Sequence, residues 1–239
     1  MILSRIRNAF FPPRCVCCDG ITENDFPVCK KCLGNVLHPY PKKSRCSICF
    51  MKHDACICAK RQFFEKLSVS LPYEGTARRT IHKLKFRSRP DLIENYARLL
   101  LYSLNERDML MDTDYITYIP MSAFAKFRRG YNQSHLLAKK LSVLTGIPVK
   151  GFLVKYKATK TQHSLDSYSR SGNLLGMFEP DKKYLDELEG KTVVIIDDVM
   201  TTGNTLNETA KTLLIFGAGK VYAACCTVKK TKKPLNTEK

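Results

Sequence analysis

The sequence predicts an α/β fold, in which a mainly parallel sheet is covered by helices on both faces, together with a small cysteine-rich metal module. Nine of the eleven cysteines lie between Cys15 and Cys58, and after them short apolar runs alternate with helical patterns, as in βαβ units. With 239 residues the chain has room for one α/β domain and a smaller module. We expect the module in residues 1–62, the domain in residues 63–228 and a basic, disordered tail in residues 229–239.

The cysteines of the amino-terminal module come in pairs that suit metal coordination. Three pairs enclose two residues and the fourth encloses one, and such spacing lets both thiolates of a turn reach one tetrahedral ion. Closed sites of four thiolates are structural, so we predict two structural zinc ions whose binding stabilises a segment poor in large aliphatic residues. The predicted ligands are Cys15, Cys18, Cys29 and Cys32 for one ion, and Cys46, Cys49, Cys56 and Cys58 for the other.

Several alternatives remain open within this module. A cross-braced pairing is possible, Cys17 can replace Cys18 as a ligand, and His53 can replace a cysteine of the second set. An iron–sulfur cluster or metal-free redox cysteines are the alternatives to zinc, whereas disulfides are not expected in a reduced cytosolic protein. Cys225 and Cys226 fall in an apolar run and are expected to be buried strand residues.

Strands and helices alternate along the remainder of the chain. Apolar runs predict strands over residues 67–73, 115–120, 152–155, 192–197 and 221–228. Helical patterns predict helices over residues 76–86, 91–105, 132–144 and 205–216. In the last helix Leu206, Ala210 and Leu213 fall on one stripe that faces the core, before Gly217 ends it. Residues 156–172 are rich in Lys, Thr and Ser and predict a long mobile loop of the kind that often carries function.

The charge of the chain favours a polyanionic partner. Its 40 Lys and Arg against 22 Asp and Glu give a net charge of +18, which attracts nucleic acid, a nucleotide or an acidic membrane. The alternative is that this charge serves solubility alone. Apolar runs all stay short of the ~18 residues of a membrane span, and basic residues interrupt the apolar opening segment, unlike a signal peptide. We expect a soluble, cytoplasmic protein.

Residues 193–205 have the composition of a site for a sugar phosphate. Four apolar residues predict a buried strand, and Asp197 and Asp198 follow at its carboxyl end, where open α/β sheets bind ligands. Small hydroxyl side chains and a glycine then lead into a helix, so backbone N–H groups can approach a phosphate. The carboxylates would repel a phosphate and instead suit a vicinal diol, whose hydroxyls donate to them. A capped helix without a ligand, or half of a magnesium site, are the alternatives.

This segment resembles the phosphoribosyl pyrophosphate (PRPP) motif of type I phosphoribosyltransferases, in which four apolar residues and two acids are followed, after two residues, by Thr-Thr-Gly-x-Thr. The resemblance implies a type I phosphoribosyltransferase-like fold, with Asp197 and Asp198 on the ribose hydroxyls and magnesium accompanying the pyrophosphate. The residues implied to hold the 5-phosphate are Thr201, Thr202, Gly203, Asn204 and Thr205. Candidate cations for the pyrophosphate or for DNA are Lys126, Arg128, Arg129 and Arg170.

The whole layout resembles the ComF family, which is associated with bacterial competence. The resemblance is carried by the Phe-Phe-Pro-Pro-Arg-Cys of residues 10–15, the cysteine pairs, the Tyr-Glu-Gly of residues 73–75 and the Arg-Gly-Tyr-Asn-Gln of residues 129–133. It implies a protein that binds PRPP and single-stranded DNA, acts with a DNA-uptake helicase or other competence proteins, and assists DNA uptake in natural transformation or DNA utilisation. A catalytic residue cannot be assigned from motifs. The alternatives are an active phosphoribosyltransferase with an unidentified acceptor and a PRPP-sensing regulator.

Overall fold

A computed structural model describes residues 14–22, 26–32, 46, 56, 62–86, 90–155 and 177–229. Its strands are β1 (Lys66–Pro72), β2 (Tyr115–Tyr118), β3 (Leu153–Lys155), β4 (Phe178–Pro180), β5 (Thr192–Met200) and β6 (Lys220–Val228). Its helices are α1 (Gly75–Phe86), α2 (Pro90–Asn105), α3 (Ala123–Arg129), α4 (Gln133–Thr145) and α5 (Asn204–Ile215), with a short 3₁₀ helix at Lys182–Tyr184.

The main sheet contains four strands in the order β1-β6-β5-β2, and every neighbouring pair is parallel. The two central strands are the most apolar, because parallel strands between two layers of helices are buried on both faces. In β6, eight of the nine residues are buried. These include Cys225 and Cys226, which are fully buried as expected.

Two apolar clusters cover the two faces of this sheet. Successive side chains of a strand point to opposite faces, so Val194 and Ile196 join one cluster while Val193 and Ile195 join the other. Helices α1, α2 and α4 pack into the first cluster, and α5 packs into the second. This arrangement confirms the predicted fold class of a parallel sheet with helices on both faces. The described helices include none that is both long enough and apolar enough to span a bilayer.

The amino-terminal module contributes to the first cluster. Cys15, Val16 and Val28 are buried in it, and the Asn95 side chain of α2 donates to the backbone oxygen of Arg14 at 3.0 Å. The first cysteines are therefore held against the same core as α1 and α2. The division of the chain at residue 62 stays a prediction.

Three parts of the fold differ from the sequence prediction. Strand β5 continues to Met200, beyond the predicted end at residue 197, because β6 goes on pairing with it. Strand β3 pairs with β4 in a separate antiparallel ladder, and β4 was missed because three residues ending in proline give no alternating pattern. Helix α3 was also missed, although Ser122 caps its start and Gly130 ends it with a φ of 80°. The predicted loop over residues 156–172 lies outside the described residues.

Candidate functional site

Four of the predicted metal ligands lie together in the amino-terminal module. Their Sγ atoms are all within 4.8 Å of one another, and the distance from Cys18 Sγ to Cys29 Sγ is 3.7 Å. A tetrahedral ion with metal–sulfur bonds of about 2.3 Å sets its thiolates about 3.8 Å apart. The geometry therefore fits a single four-thiolate site, formed by Cys15, Cys18, Cys29 and Cys32.

Cys17 lies outside this group, although the sequence left it open as a replacement for Cys18. Cys17 and Cys18 lie in a tight turn that two backbone hydrogen bonds close. The Cys15 N–H donates to the Gly20 oxygen at 2.8 Å, and the Asp19 N–H donates to the Cys15 oxygen at 2.8 Å. Burial raises the pKa of the Cys17 thiol to about 12. Its backbone N–H instead donates to Cys15 Sγ at 3.4 Å, a contact that supports a ligand sulfur.

The second predicted metal site is only partly described. Cys46 and Cys56 are half-buried against the second apolar cluster, on the opposite face of the sheet from the first four cysteines. Cys49, Cys58 and the alternative ligand His53 lie outside the described residues. This site stays a prediction.

The acid pair lies where the main sheet narrows from four strands to three, because β2 ends before it. Strand β2 pairs with β5 only as far as Ile196, and the Ile119 N–H donates to the Ile196 oxygen at 3.1 Å. Asp197 and Asp198 come next, inside β5 and paired on the β6 side. The strand was predicted to end at residue 197, but the β6 ladder carries β5 two residues past the acids. They still lie near its carboxyl end, where α/β sheets bind ligands.

Side chains from two helices contact the acid pair. Ser134 Oγ on α4 donates to Asp197 Oδ1 at 3.0 Å, and the Asp198 N–H donates to the same oxygen at 2.9 Å. Lys85 Nζ at the end of α1 lies 2.9 Å from Asp198 Oδ2. Sequence analysis assigned no role to Lys85 or Ser134, since each meets the acids only when its helix packs on the sheet.

The two carboxylates are not equivalent. Asp198 is 7% exposed and has a lysine as its partner. Burial, and then the charge of Asp198, raise the pKa of Asp197 to about 7, against the opposing effect of Lys85 and of the hydrogen bonds from Ser134 and the Asp198 N–H. Two adjacent acids are thus held in a place that disfavours a second negative charge. Neutral hydroxyl donors suit this pair better than a further anion.

The predicted phosphate-binding residues form the turn into α5. Gly203 is the N-cap of this helix with a φ of 77°, a left-handed conformation that residues with a Cβ seldom adopt. Glycine has no side chain to cap the helix, and the first bond in the turn runs from Asn207 N–H to the Gly203 oxygen at 2.9 Å. The earlier N–H groups of a helix have no intrahelical acceptor, and with the helix dipole they attract anions. Thr201, Thr202 and Asn204 are exposed at this turn.

The predicted cationic residues that are described lie on α3. Lys126 and Arg128 are exposed, whereas Arg129 is half-buried and donates from Nη1 to Gln133 Oε1 at 3.4 Å. Helix α3 follows the end of β2, and Asn132 Nδ2 just beyond it donates to the Ile119 oxygen at 2.9 Å. The helix is therefore at the same sheet edge as the acid pair. Arg170 lies outside the described residues.

Comparison with known proteins identifies the family. A family model of the phosphoribosyl transferase domain matches residues 128–239. The DNA utilization protein YhgH of Escherichia coli is 30% identical over 215 residues, which cover 88% of this chain and 88% of that protein. The chain belongs to the ComF family. Competence protein F of Haemophilus influenzae, another relative, is 30% identical over 230 residues and covers 89% of this chain and 95% of that protein.

The family match and the parallel sheet give this ComF protein a type I phosphoribosyltransferase fold. Among solved structures, the adenine phosphoribosyltransferase of Thermoanaerobacter pseudethanolicus is 17% identical with a TM-score of 0.38, covering 59% of this chain and 82% of that one.

Proposed function

We propose that this ComF-family protein binds PRPP at the edge formed by β5 and α5, and that it handles single-stranded DNA during DNA uptake or utilisation. One observation carries the PRPP part: a left-handed glycine joins an acid pair, in which Asp198 is buried and Asp197 half-buried, to the exposed start of α5. Hydroxyl-binding and phosphate-binding groups are thereby combined within one turn, as a ribose 5-phosphate requires.

Each group has a role that follows from its chemistry. Asp197 and Asp198 accept hydrogen bonds from the ribose hydroxyls, which relieve the repulsion between the carboxylates. The N–H groups and hydroxyls from Thr201 to Thr205 hold the 5-phosphate at the positive end of the α5 dipole. Lys85 holds the Asp198 carboxylate in position for its hydroxyl partner.

Magnesium is expected to arrive with the pyrophosphate. The ion prefers oxygen ligands and keeps several waters, using few carboxylates from the protein. Asp198 is already paired with Lys85, so Asp197 and the oxygens of PRPP are the ligands that fit. The ion would neutralise charge on the pyrophosphate beside the acid pair.

The names of the relatives and the charge of the chain support the DNA part. Relatives that cover most of this chain are described as a DNA utilization protein and as a competence protein. The net charge of +18 suits a polyanion. A DNA-uptake helicase or another competence protein is the expected protein partner, and the cytoplasm is the expected compartment.

Zinc is the metal that we propose for the four-cysteine site. Its four thiolates leave no position for a substrate, and zinc takes this tetrahedral ligand set in structural sites. The ion would replace the repulsion among the thiolates with four metal–sulfur bonds. A second zinc at Cys46, Cys49, Cys56 and Cys58 is proposed from the sequence.

Calorimetry with PRPP and magnesium tests the central proposal. The double variant Asp197→Asn/Asp198→Asn should lose PRPP binding, because an amide accepts more weakly than a carboxylate and offers the diol one oxygen in place of two, and the uncharged pair no longer attracts magnesium. The matched control Asp112→Asn/Asp114→Asn removes two acids that pair with Lys220 and Lys191 instead and should bind PRPP normally. If wild-type protein shows no heat of PRPP binding with magnesium present, the proposal that it binds PRPP is wrong.

Transfer of the phosphoribosyl group is a second candidate, and Asp197 favours it. A carboxyl group with a pKa of about 7 can take up or release a proton beside the sugar at neutral pH. The test is release of pyrophosphate from PRPP with nucleobases, amines or DNA ends as acceptors. An absence of release with all three classes, alongside normal PRPP binding, would leave a binding protein or a PRPP-sensing regulator.

A further inference from the structure

Helix α3 exposes two aromatic rings that the ribose-phosphate site does not use. Phe124 is 75% exposed and Phe127 is 91% exposed. Both lie in a seven-residue helix that carries three bases and no acid. Adjacent rings of this exposure, set among positive charges, are typical of a binding surface and not of an ordinary solvated helix.

Helical geometry puts the rings on one side. Residues three and four apart are neighbours on a helix surface, so Phe124 lies beside both Phe127 and Arg128. Ala125 and Arg129 are the half-buried residues of α3 and mark the side that faces the protein. The outward side therefore presents two rings, and the exposed Arg128 and Lys126 border it.

The positive charges on this side are available to a ligand. Across the described ranges, Lys126 and Arg128 form no ion pair with a carboxylate. The helix itself is fixed at both ends: Ser122 Oγ accepts from the Ala125 N–H at 3.3 Å, and the Gly130 N–H donates to the Lys126 oxygen at 2.7 Å. Rings on a capped helix are presented in a fixed arrangement, so a ligand orders less of the protein when it binds.

We propose that the outer face of α3, formed by Phe124, Lys126, Phe127 and Arg128, binds single-stranded DNA by stacking its bases on the two rings. Unpaired bases stack on aromatic side chains whatever their identity, while nearby cations hold the phosphates. The bases of a duplex are already stacked on one another and cannot use the rings in this way. This inference rests on the DNA part of the proposed function and adds the position and mode of contact.

The position of α3 brings such a strand close to the ribose-phosphate site. The helix begins just after β2, whose last residue pairs with Ile196. Ser134, five residues beyond the end of α3, donates to Asp197. Single-stranded DNA bound on α3 therefore passes the edge of the sheet that holds the acid pair.

Removal of the rings is the first test. Binding of a fluorescein-labelled oligothymidylate of about 20 nucleotides, followed by anisotropy at low salt, should weaken at least about tenfold in Phe124→Ala/Phe127→Ala. Phe127→Leu should also weaken binding, because it keeps apolar area but cannot stack. Met111→Ala is the matched control. Met111 is 87% exposed and precedes β2, so it lies at the other end of that strand from α3.

Removal of the charges is the second test. Lys126→Glu/Arg128→Glu should weaken binding and reduce the slope of log affinity against log salt by about 1.4, which corresponds to two phosphate contacts on a single strand. Lys182→Glu/Lys183→Glu makes the same change of charge at another exposed position. It should leave that slope nearly unchanged.

A tryptophan reporter tests stacking directly. The chain contains no tryptophan, so Phe127→Trp introduces a single indole on α3. Its fluorescence should be quenched by oligothymidylate with affinity retained, while that of Met111→Trp should not respond. Equal melting temperatures of the variants and wild type would show that the exposed substitutions leave the fold intact.

The outcomes separate this inference from the proposed function. Normal oligothymidylate binding by Phe124→Ala/Phe127→Ala, with no quenching in Phe127→Trp, would overturn the α3 inference and leave DNA binding in place elsewhere; α3 would then be a candidate protein-binding face. Failure of wild-type protein to bind oligothymidylate in low salt would refute the DNA part of the proposed function and this inference with it. PRPP calorimetry on the same sample judges the PRPP part independently.

Discussion

The four-cysteine site and the acid pair both crowd groups that repel one another when ionised, but the protein treats them differently. The four sulfurs close around one point, and their segment is anchored in the core beside α1 and α2. The two carboxylates adjoin an exposed turn, and one of them has a raised pKa. The first arrangement suits a permanent ion that stabilises the fold. The second arrangement retains repulsion between two carboxylates, which a bound ligand can relieve, as functional sites often do.

Helix α1 joins these two regions. Thr80 Oγ1 in its middle lies 3.3 Å from the Val16 oxygen, next to Cys15. Lys85 near its end pairs with Asp198. A change at either site can therefore reach the other through a single helix.

The largest effect is expected from the cysteine site. Cys29→Ser should lose the metal and destabilise the fold by at least about 4 kcal/mol, because the binding free energy of a structural zinc is folding free energy. Metal content by a colorimetric release assay and thermal unfolding measure the two consequences. Cys17→Ser is the matched control, and it should keep the metal with a loss of about 1 kcal/mol or less. Retention of metal in Cys29→Ser with loss in Cys17→Ser would mean that the ligand set is wrong.

The next effect has the opposite sign. The folded-state pKa of Asp197 is about 7 against an ordinary 3.8, so wild-type protein loses stability as pH rises from about 4 to 7, where the unfolded state has released the proton and the folded state still holds it. Asp197→Asn removes this loss and keeps an oxygen to accept from Ser134. It should be about 3 kcal/mol more stable than wild type at pH 8, with little difference at pH 4.

Urea unfolding at the two pH values measures this gain, and Asp112→Asn gives its control. The hydrogen bond from Lys220 lowers the pKa of Asp112, so its contribution is present above the ordinary pKa and is lost as pH falls. Its replacement should therefore slightly destabilise the protein at pH 8. If Asp197→Asn were less stable than wild type at pH 8, the acid pair would stabilise the free protein. That result would contradict the contrast drawn between the acid pair and the metal site.

A smaller effect is expected at Lys85. Lys85→Met leaves Asp198 without its cation and should cost about 2 kcal/mol at neutral pH, less than for a fully buried pair because Lys85 is 23% exposed. In a double-mutant cycle with Asp198→Asn, the coupling should be about 1 kcal/mol. Lys83→Met on the same helix is the control and should cost little. A coupling near zero would show that the lysine does not hold the acid pair.

The smallest effect concerns the glycine of the phosphate turn. Gly203→Ala should cost about 1 kcal/mol, because a Cβ is disfavoured at a φ of 77°. Gly203→Asn should lose less, since asparagine tolerates this conformation. Thermal unfolding of both variants gives the ranking, and PRPP calorimetry on the same samples should follow it. Equal stability of the alanine and wild-type proteins would mean that the turn is not fixed in the free state.

Features that depend on a local pattern of residues could be predicted from the sequence alone. Paired cysteines indicated metal sites because a short turn fixes the distance between two thiolates. The apolar runs of β5 and β6 and the stripe of α5 indicated a parallel sheet between helices, and the ends of α1, α2, α4 and α5 were predicted to within one residue. The segment 193–205 identified the turn at which the site is proposed, since acids, hydroxyls and glycine are contiguous there.

Contacts between residues that are far apart in the chain became known only from the tertiary structure. Ser134 and Asp197 are 63 residues apart in the chain, and Lys85 reaches Asp198 from a helix on the same face of the sheet. The choice of Cys18 over Cys17 depended on how one turn packs against α1 and α2, and the extra length of β5 depended on its pairing with β6. Contacts of this kind are set by the packing of whole elements, so no local pattern reports them. For the same reason, the exposure of Phe124 and Phe127 became evident only when α3 was seen to leave them uncovered.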